Sequence, residues 1–173
     1  MYVLIINGYP RSGKDTFCDN ISGVFSCKRY STVDTPKRIL TDMGWDGVKT
    51  PEIRKALSDI KDMYTSLFDG PFKEAVKIIK DSIDNKISIV TVMCREPVEI
   101  DKLKQWCIDN NIRCSTIFID RGINIEELNN HADLEVSEYE YDYYIKNNNS
   151  KSVFRDRSRI FIVSLLGESD AYF

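Results

Sequence analysis

Apolar positions in the chain fall into short unbroken runs separated by stretches of helical spacing. Tyr2 to Ile6 is continuously apolar and stops at Asn7-Gly8, which predicts a fully buried strand. Phe17, Ile21, Val24 and Phe25 then recur at helical intervals. Arg29 to Val33 reads as a second strand ending near Asp34. Thr50 followed by Pro51 marks a helix start, and Ile53, Ala56, Leu57, Ile60, Tyr64 and Leu67 form its predicted apolar stripe. Pro71 opens another helix, with Phe72, Ala75, Val76, Ile79 and Ile83 on its inner face. Ile87 to Cys94 is nearly all apolar, as in a strand covered on both sides. A helix from Pro97 to Asn110 and a strand from Arg113 to Ile119 follow. Beyond Asp120-Arg121-Gly122 the pattern predicts short strands at Ala132 to Val136 and Tyr143 to Ile145. A closing helix is expected over Val153 to Leu166.

Strands alternating with helices long enough to cross over predict a single three-layer α/β/α domain with a mostly parallel central sheet. In such sheets ligands sit beyond the carboxyl ends of the strands. Four polar clusters follow predicted strands: Gly8 to Thr16, Asp34, Arg95-Glu96 and Arg121. One shared site would explain their placement.

Bulk properties narrow the picture. A chain of 173 residues suits one domain with a proper core. Its net charge of -3 argues against a general nucleic-acid or membrane-surface binder. The apolar opening lacks a basic lead and reads as a strand, not a signal peptide. The five cysteines are scattered without a Cys-x-x-Cys pair, and His131 is the single histidine. That pattern suits reduced thiols in a cytoplasmic protein better than a zinc site or a disulfide framework.

The most specific motif is Gly8-Tyr9-Pro10-Arg11-Ser12-Gly13-Lys14-Asp15-Thr16, of the form G-x-x-x-x-G-K, between the first strand and the first helix. Glycines there let backbone amides wrap around phosphate oxygens, and the helix adds its positive N-terminal end. Lys14 would bridge β- and γ-phosphates, and Thr16 would bond a phosphate oxygen. Asp15 stands where a serine or threonine ordinarily meets magnesium, and its carboxylate can hold that ion directly or through water.

This stretch resembles a branch of the P-loop kinases that carries Gly-Lys-Asp, in particular bacteriophage-type deoxynucleoside monophosphate kinases. Thr35-Pro36-Lys37, His131-Ala132-Asp133 and Tyr141-Asp142-Tyr143-Tyr144-Ile145-Lys146-Asn147 look like further elements of small P-loop kinases. The resemblance implies a nucleoside-monophosphate-kinase-like fold with a helical acceptor-binding section over about residues 35–85 and a short lid over about 120–131. It also implies ATP and Mg²⁺ as cofactors and a small nucleotide as partner, for a monomer or homodimer that binds neither nucleic acid nor membrane. Two features depart from that pattern. Cys94-Arg95-Glu96-Pro97 stands where adenylate-kinase-like enzymes have Asp-Gly-x-Pro-Arg, and the short lid has Arg121 as its only arginine before the Ala-Asp element.

Phosphoryl transfer needs positioning and charge neutralisation more than covalent help. Lys14, Arg95 and Arg121 are the candidate catalytic cations. Gly8, Arg11, Ser12, Gly13, Lys14, Asp15 and Thr16 are the candidate ATP ligands. For the acceptor, Arg54 comes first and Lys37 second, with Asp34 as a base if the acceptor is a hydroxyl. Lys61 shares a helix face with Arg54, where a solvated face is the plainer account. Glu96 either holds magnesium through water or caps the helix at Pro97. Arg155, Arg157 and Arg159 read as a solvated run. The alternatives to a nucleotide kinase are a kinase of a non-nucleotide phosphate or hydroxyl compound, and a nucleotide-binding switch.

Overall fold

A computed structural model describes residues 1–122, 136 and 139–167. Five strands make one sheet: β1 (Tyr2–Asn7), β2 (Cys27–Ser31), β3 (Ile89–Met93), β4 (Arg113–Asp120) and β5 (Tyr143–Lys146). Their order is β2-β3-β1-β4-β5, and every described pairing is parallel. The helices are α1 (Lys14–Ser22), α2 (Asp34–Asp42), α3 (Pro51–Phe68), α4 (Gly70–Asp84), α5 (Pro97–Asp109) and α6 (Lys151–Gly167).

β1 sits at the centre because all six of its residues are buried. Alternation splits them between two cores. Val3 and Ile5 face Ala75 and Ile79 of α4 and Ile100, Leu103 and Cys107 of α5. Tyr2, Leu4 and Ile6 face Phe17 and Ile21 of α1 and Phe154, Ile162 and Leu165 of α6. Each wholly buried aliphatic side chain contributes about 1.5–3 kcal/mol. The α/β/α layering therefore follows from one continuous apolar strand that needs cover on both faces.

Three details differ from the sequence expectation. β2 is shifted toward Cys27, and Asp34 opens the helix α2 instead of ending a strand. On α3 the expected apolar stripe holds at Ile53, Ala56, Leu57, Ile60 and Tyr64, which are buried or half-buried, but not at Leu67, which is 67% exposed, and the same face also buries Lys61. Ile83 of α4 is likewise exposed. α3 packs mainly on its neighbours α2 and α4, whereas α4 lies against the sheet through Ala75 and Ile79. The predicted strand over 132–136 falls outside the described residues apart from the buried Val136, as does His131.

The α2–α4 section is held to the sheet by polar ties. The Glu74 carboxylate of α4 accepts from the Tyr30 hydroxyl of β2 at 2.9 Å, from Thr35 Oγ1 of α2 at 2.8 Å and from the Tyr64 hydroxyl of α3 at 3.1 Å. Burial, then the adjoining Glu74 charge, pushes the Tyr30 hydroxyl up, so it stays a donor. Gly70 lets α4 begin directly against the Tyr64 ring, where a Cβ would overlap it.

At the other end of the sheet, Asp142 joins β4 to the loop before β5. Its carboxylate accepts from the Thr116 amide at 2.7 Å, from Thr116 Oγ1 at 2.9 Å and from Lys104 at 3.0 Å. Partial burial pushes the Asp142 carboxyl up, but the Thr116 bonds and Lys104 outweigh it and hold it below the usual range. A depressed carboxyl adds stability above its unfolded pKa and loses it as pH falls through the folded value. Asp142→Ala should cost about 1–2 kcal/mol at neutral pH, after allowing for its partial exposure. The gap between wild type and variant in denaturant unfolding should hold down to about pH 4 and close below it. A gap that is the same at pH 7 and pH 2 would contradict this account.

Candidate active site

The site begins where β1 stops. Asn7 is wholly buried, a polar residue closing an apolar strand. Its Oδ1 accepts from the Gly8 amide at 2.8 Å, and its Nδ2 donates to the Arg95 carbonyl at 3.0 Å and the Tyr141 hydroxyl at 2.7 Å. The Tyr141 hydroxyl passes its own hydrogen to the Val136 carbonyl at 3.0 Å. One amide thus fixes the start of the loop relative to the segments after β3 and before β5.

From there the chain turns through three positive φ angles: Gly8 at 143°, Arg11 at 63° and Gly13 at 102°. A Cβ on Gly8 would lie 2.5 Å from the Ile119 carbonyl oxygen, and one on Gly13 would strike the Asn147 side-chain amide. Arg11 is no glycine, and its left-handed backbone costs about 1 kcal/mol or more. Such strain persists where surrounding contacts over-determine it.

The loop's carbonyls are occupied by donors. Lys14 Nζ donates to the Gly8 carbonyl at 2.6 Å and to the Tyr9 carbonyl at 2.8 Å. Tyr9's carbonyl also takes the Ser12 amide at 3.1 Å. Arg121 donates to the Arg11 carbonyl at 3.1 Å, and Asn147 Nδ2 to the Ser12 carbonyl at 2.8 Å. The Gly8 and Ser12 amides are themselves engaged, by Asn7 Oδ1 and the Tyr9 carbonyl, and Pro10 has none, so the amides of Tyr9, Arg11 and Gly13 are the ones that can face an anion. α1 starts at Lys14, and its N-cap Gly13 supplies no side-chain acceptor to the first turn. That helix end adds positive potential at the same place.

The candidate residues fall into distinct groups. Gly8, Arg11, Gly13, Lys14 and Arg121 come together at the loop. Ser12 is wholly buried, with its Oγ packed beside Gly8 inside the loop and without a hydrogen-bond partner among the described residues. Thr16 and Asp15 are exposed on the first turn of α1, with the Asp15 carboxylate 3.6 Å from Arg29 of β2. Arg95 is half-buried two residues beyond β3. Lys37 pairs with Asp34 at 3.4 Å, and Asp34 also accepts from the Ser31 amide at 2.8 Å. Arg54 is exposed near the start of α3. Glu96 makes no side-chain capping bond to α5, and its carboxylate is ion-paired with Lys61. A solvated face is thereby ruled out for Lys61, which is 5% exposed. Arg157 and Arg159 bond the Lys146 and Asn20 carbonyls and anchor α6. The lid expected over about 120–131 lies outside the described residues from 123 onward.

Asn7 and Asn147 are not among the candidate site residues, and Lys61 enters there only as a neighbour of Arg54 for which a solvated face is the plainer account. Asn7 carries a usable signal, a polar side chain ending an apolar run. Lys61 carries only its seven-residue spacing from Arg54, because a lysine beside an apolar stripe ordinarily points to water.

Residues for a metal are sparse. Among the described residues, no three His, Cys, Asp or Glu side chains cluster to hold one. Mg²⁺ in phosphoryl-transfer sites needs less, one or two carboxylates beside phosphate oxygens and water. The Asp15 carboxylate, 78% exposed at the mouth of the loop, meets that requirement.

No protein-family model matches the sequence, and no curated protein sequence matches it. Solved structures do. A shikimate kinase from Aquifex aeolicus matches with a TM-score of 0.54 and 15% identity, over 98% of this chain and 98% of that one. A sugar kinase from Janibacter sp. HTCC2649, solved without ligand, matches with a TM-score of 0.50 and 14% identity, over 93% of each chain. This chain has the P-loop kinase fold. At such identities the likeness is one of fold, and the loop geometry is this chain's own. β3, β1 and β4 are parallel neighbours in the sheet, so their carboxyl ends lie side by side, and Arg95, Gly8 and Arg121 follow them.

The two glycines make a sharp test. Gly13→Ala should weaken binding of a non-hydrolysable ATP analogue by about tenfold or more in calorimetry, because the Cβ displaces Asn147 and strains the turn. Unchanged affinity would show that the turn at Gly13 is not part of the binding surface.

Proposed function

We propose that the protein is an ATP-dependent small-molecule phosphotransferase, acting on a nucleoside or deoxynucleoside monophosphate. The observation that carries this reading is the glycine loop at the end of the central strand, whose carbonyls are held by Lys14, Arg121 and Asn147 and which leads directly into the N-terminus of α1. An acceptor phosphate oxygen would attack the γ-phosphorus. The bond from that phosphorus to the β–γ bridging oxygen breaks, and ADP leaves with the electron pair. Catalysis then rests on alignment and on spreading charge across Lys14, Arg121 and Arg95. Asp15 would hold Mg²⁺, which supplies charge neutralisation between the donor phosphates.

The acceptor side supports this reading through its place in the chain. α2, α3 and α4 form a helical section between β2 and β3, and its Lys61 pairs with Glu96 in the turn after β3. A second reading, transfer to a hydroxyl, draws on Asp34. Its carboxylate opens α2 beyond β2, although Ser31 and Lys37 already engage it.

Two measurements test the proposal. An ADP-release assay with ATP, magnesium and each common monophosphate should show turnover with at least one, and chelation of the metal should abolish it. Silence with all of them would remove the monophosphate reading. Lys14→Ala should cut transfer by about a hundredfold or more, while loss of its bonds to the loop carbonyls costs about 1–3 kcal/mol of stability and leaves the protein folded. Retained transfer in that variant would remove the loop from the mechanism.

A further inference from the structure

α3 buries two side chains, Leu57 and Lys61, and the second is unusual. Lysine is almost never buried without a partner. Here the partner is Glu96, in the turn between β3 and α5. The pair therefore crosses from the helical section to the end of the sheet, next to Arg95 and two residues from the buried Cys94.

The two ends of the pair are not equivalent. The Lys61 side chain keeps 7% of its exposure and the Glu96 side chain 34%. Glu96 can rotate into water, whereas the Lys61 ammonium has no comparable exit. A second carboxyl, Glu99, lies near enough to feel both, and burial holds it above the usual range. Leaving the ammonium without a counter-charge would be strongly unfavourable, so anything that displaces Glu96 must itself bring an anion. Lys61 also shares a face of α3 with Arg54, seven positions earlier and exposed.

We infer that Lys61 binds an oxyanion of the acceptor and that Glu96 is its exchangeable counter-ion. In the free protein the Glu96 carboxylate occupies the position, and the incoming anion takes the ammonium as Glu96 turns to solvent. The inference rests on the kinase reading and deepens it. It assigns an anionic group to the acceptor and makes Lys61 the residue that recognises it, with Glu96 guarding against an unpaired buried charge.

Phosphate binding to the full chain, with a non-hydrolysable ATP analogue and magnesium already filling the loop, tests this directly. Glu96→Gln removes the competitor, so calorimetry should show inorganic phosphate binding about fivefold to tenfold tighter than in wild type. Glu96→Asp, which keeps a retracted charge and the fold, should move the same way by less. The double variant Lys61→Met with Glu96→Gln removes both charges and should show no gain. A parallel titration with acetate separates the anions, since a gain confined to acetate assigns a carboxylate acceptor. Phosphate and acetate affinities unchanged in both Glu96 variants, or a gain that survives in the double variant, would overturn the exchange. Failure of the analogue to bind wild type would instead overturn the kinase reading, and this inference with it.

Discussion

The Lys14 ammonium bonds two carbonyls of its own loop, those of Gly8 and Tyr9, and the geometry of the site depends on that contact. A chain turning through three positive φ angles within six residues would otherwise expose carbonyl and amide dipoles together. Lys14, with Arg121 and Asn147, occupies the negative ends and leaves the positive ends for an anion. The same ammonium is the charge that would follow the phosphates when they arrive. Pre-organisation of this kind reduces the reorganisation needed at the moment of reaction. It is carried by residues far apart in sequence, because Asn147 and Arg121 arrive from the ends of β5 and β4.

This arrangement explains why the sheet is built as it is. β1 is central and wholly buried, so the loop at its end is mounted on the most rigid element of the molecule. Asn7 then joins that end to its neighbours on both sides, through Arg95 and Tyr141. The acceptor side is assembled differently. α2 and α3 rest mainly on one another and on α4, which itself packs on the sheet through Ala75 and Ile79, and polar contacts add to this, Glu74 to three hydroxyls and Lys61 to Glu96. Polar fastenings can exchange partners more readily than a packed apolar core.

How far the amino-acid sequence reveals this varies along the chain. The central strand, the loop and the first helix are legible because an apolar run, a glycine pattern and helical spacing adjoin without interruption. β3, β4 and α5 are legible for the same reason. β2 is not sharply bounded, since Cys27-Lys28-Arg29-Tyr30-Ser31 lies at the edge of the sheet and half of its face is solvated. The inner face of α3 is legible from its spacing except at Leu67, which is exposed, and at Lys61, whose burial depends on a partner 35 positions away. Propensity and spacing register local order, but a long-range ion pair leaves no local trace. The same holds for Asn147, whose part in the loop follows from a contact 135 positions distant.

The central claim is that the main-chain amides from Gly8 to Lys14 cup a polyphosphate. Amide proton and nitrogen resonances of the uniformly labelled protein, followed during titration with ATP and magnesium, address it most directly. The largest shifts should fall on residues 8–16, with smaller ones at Asn147 and Arg121. Saturable binding whose shifts lie elsewhere, with residues 8–16 unmoved, would contradict the account.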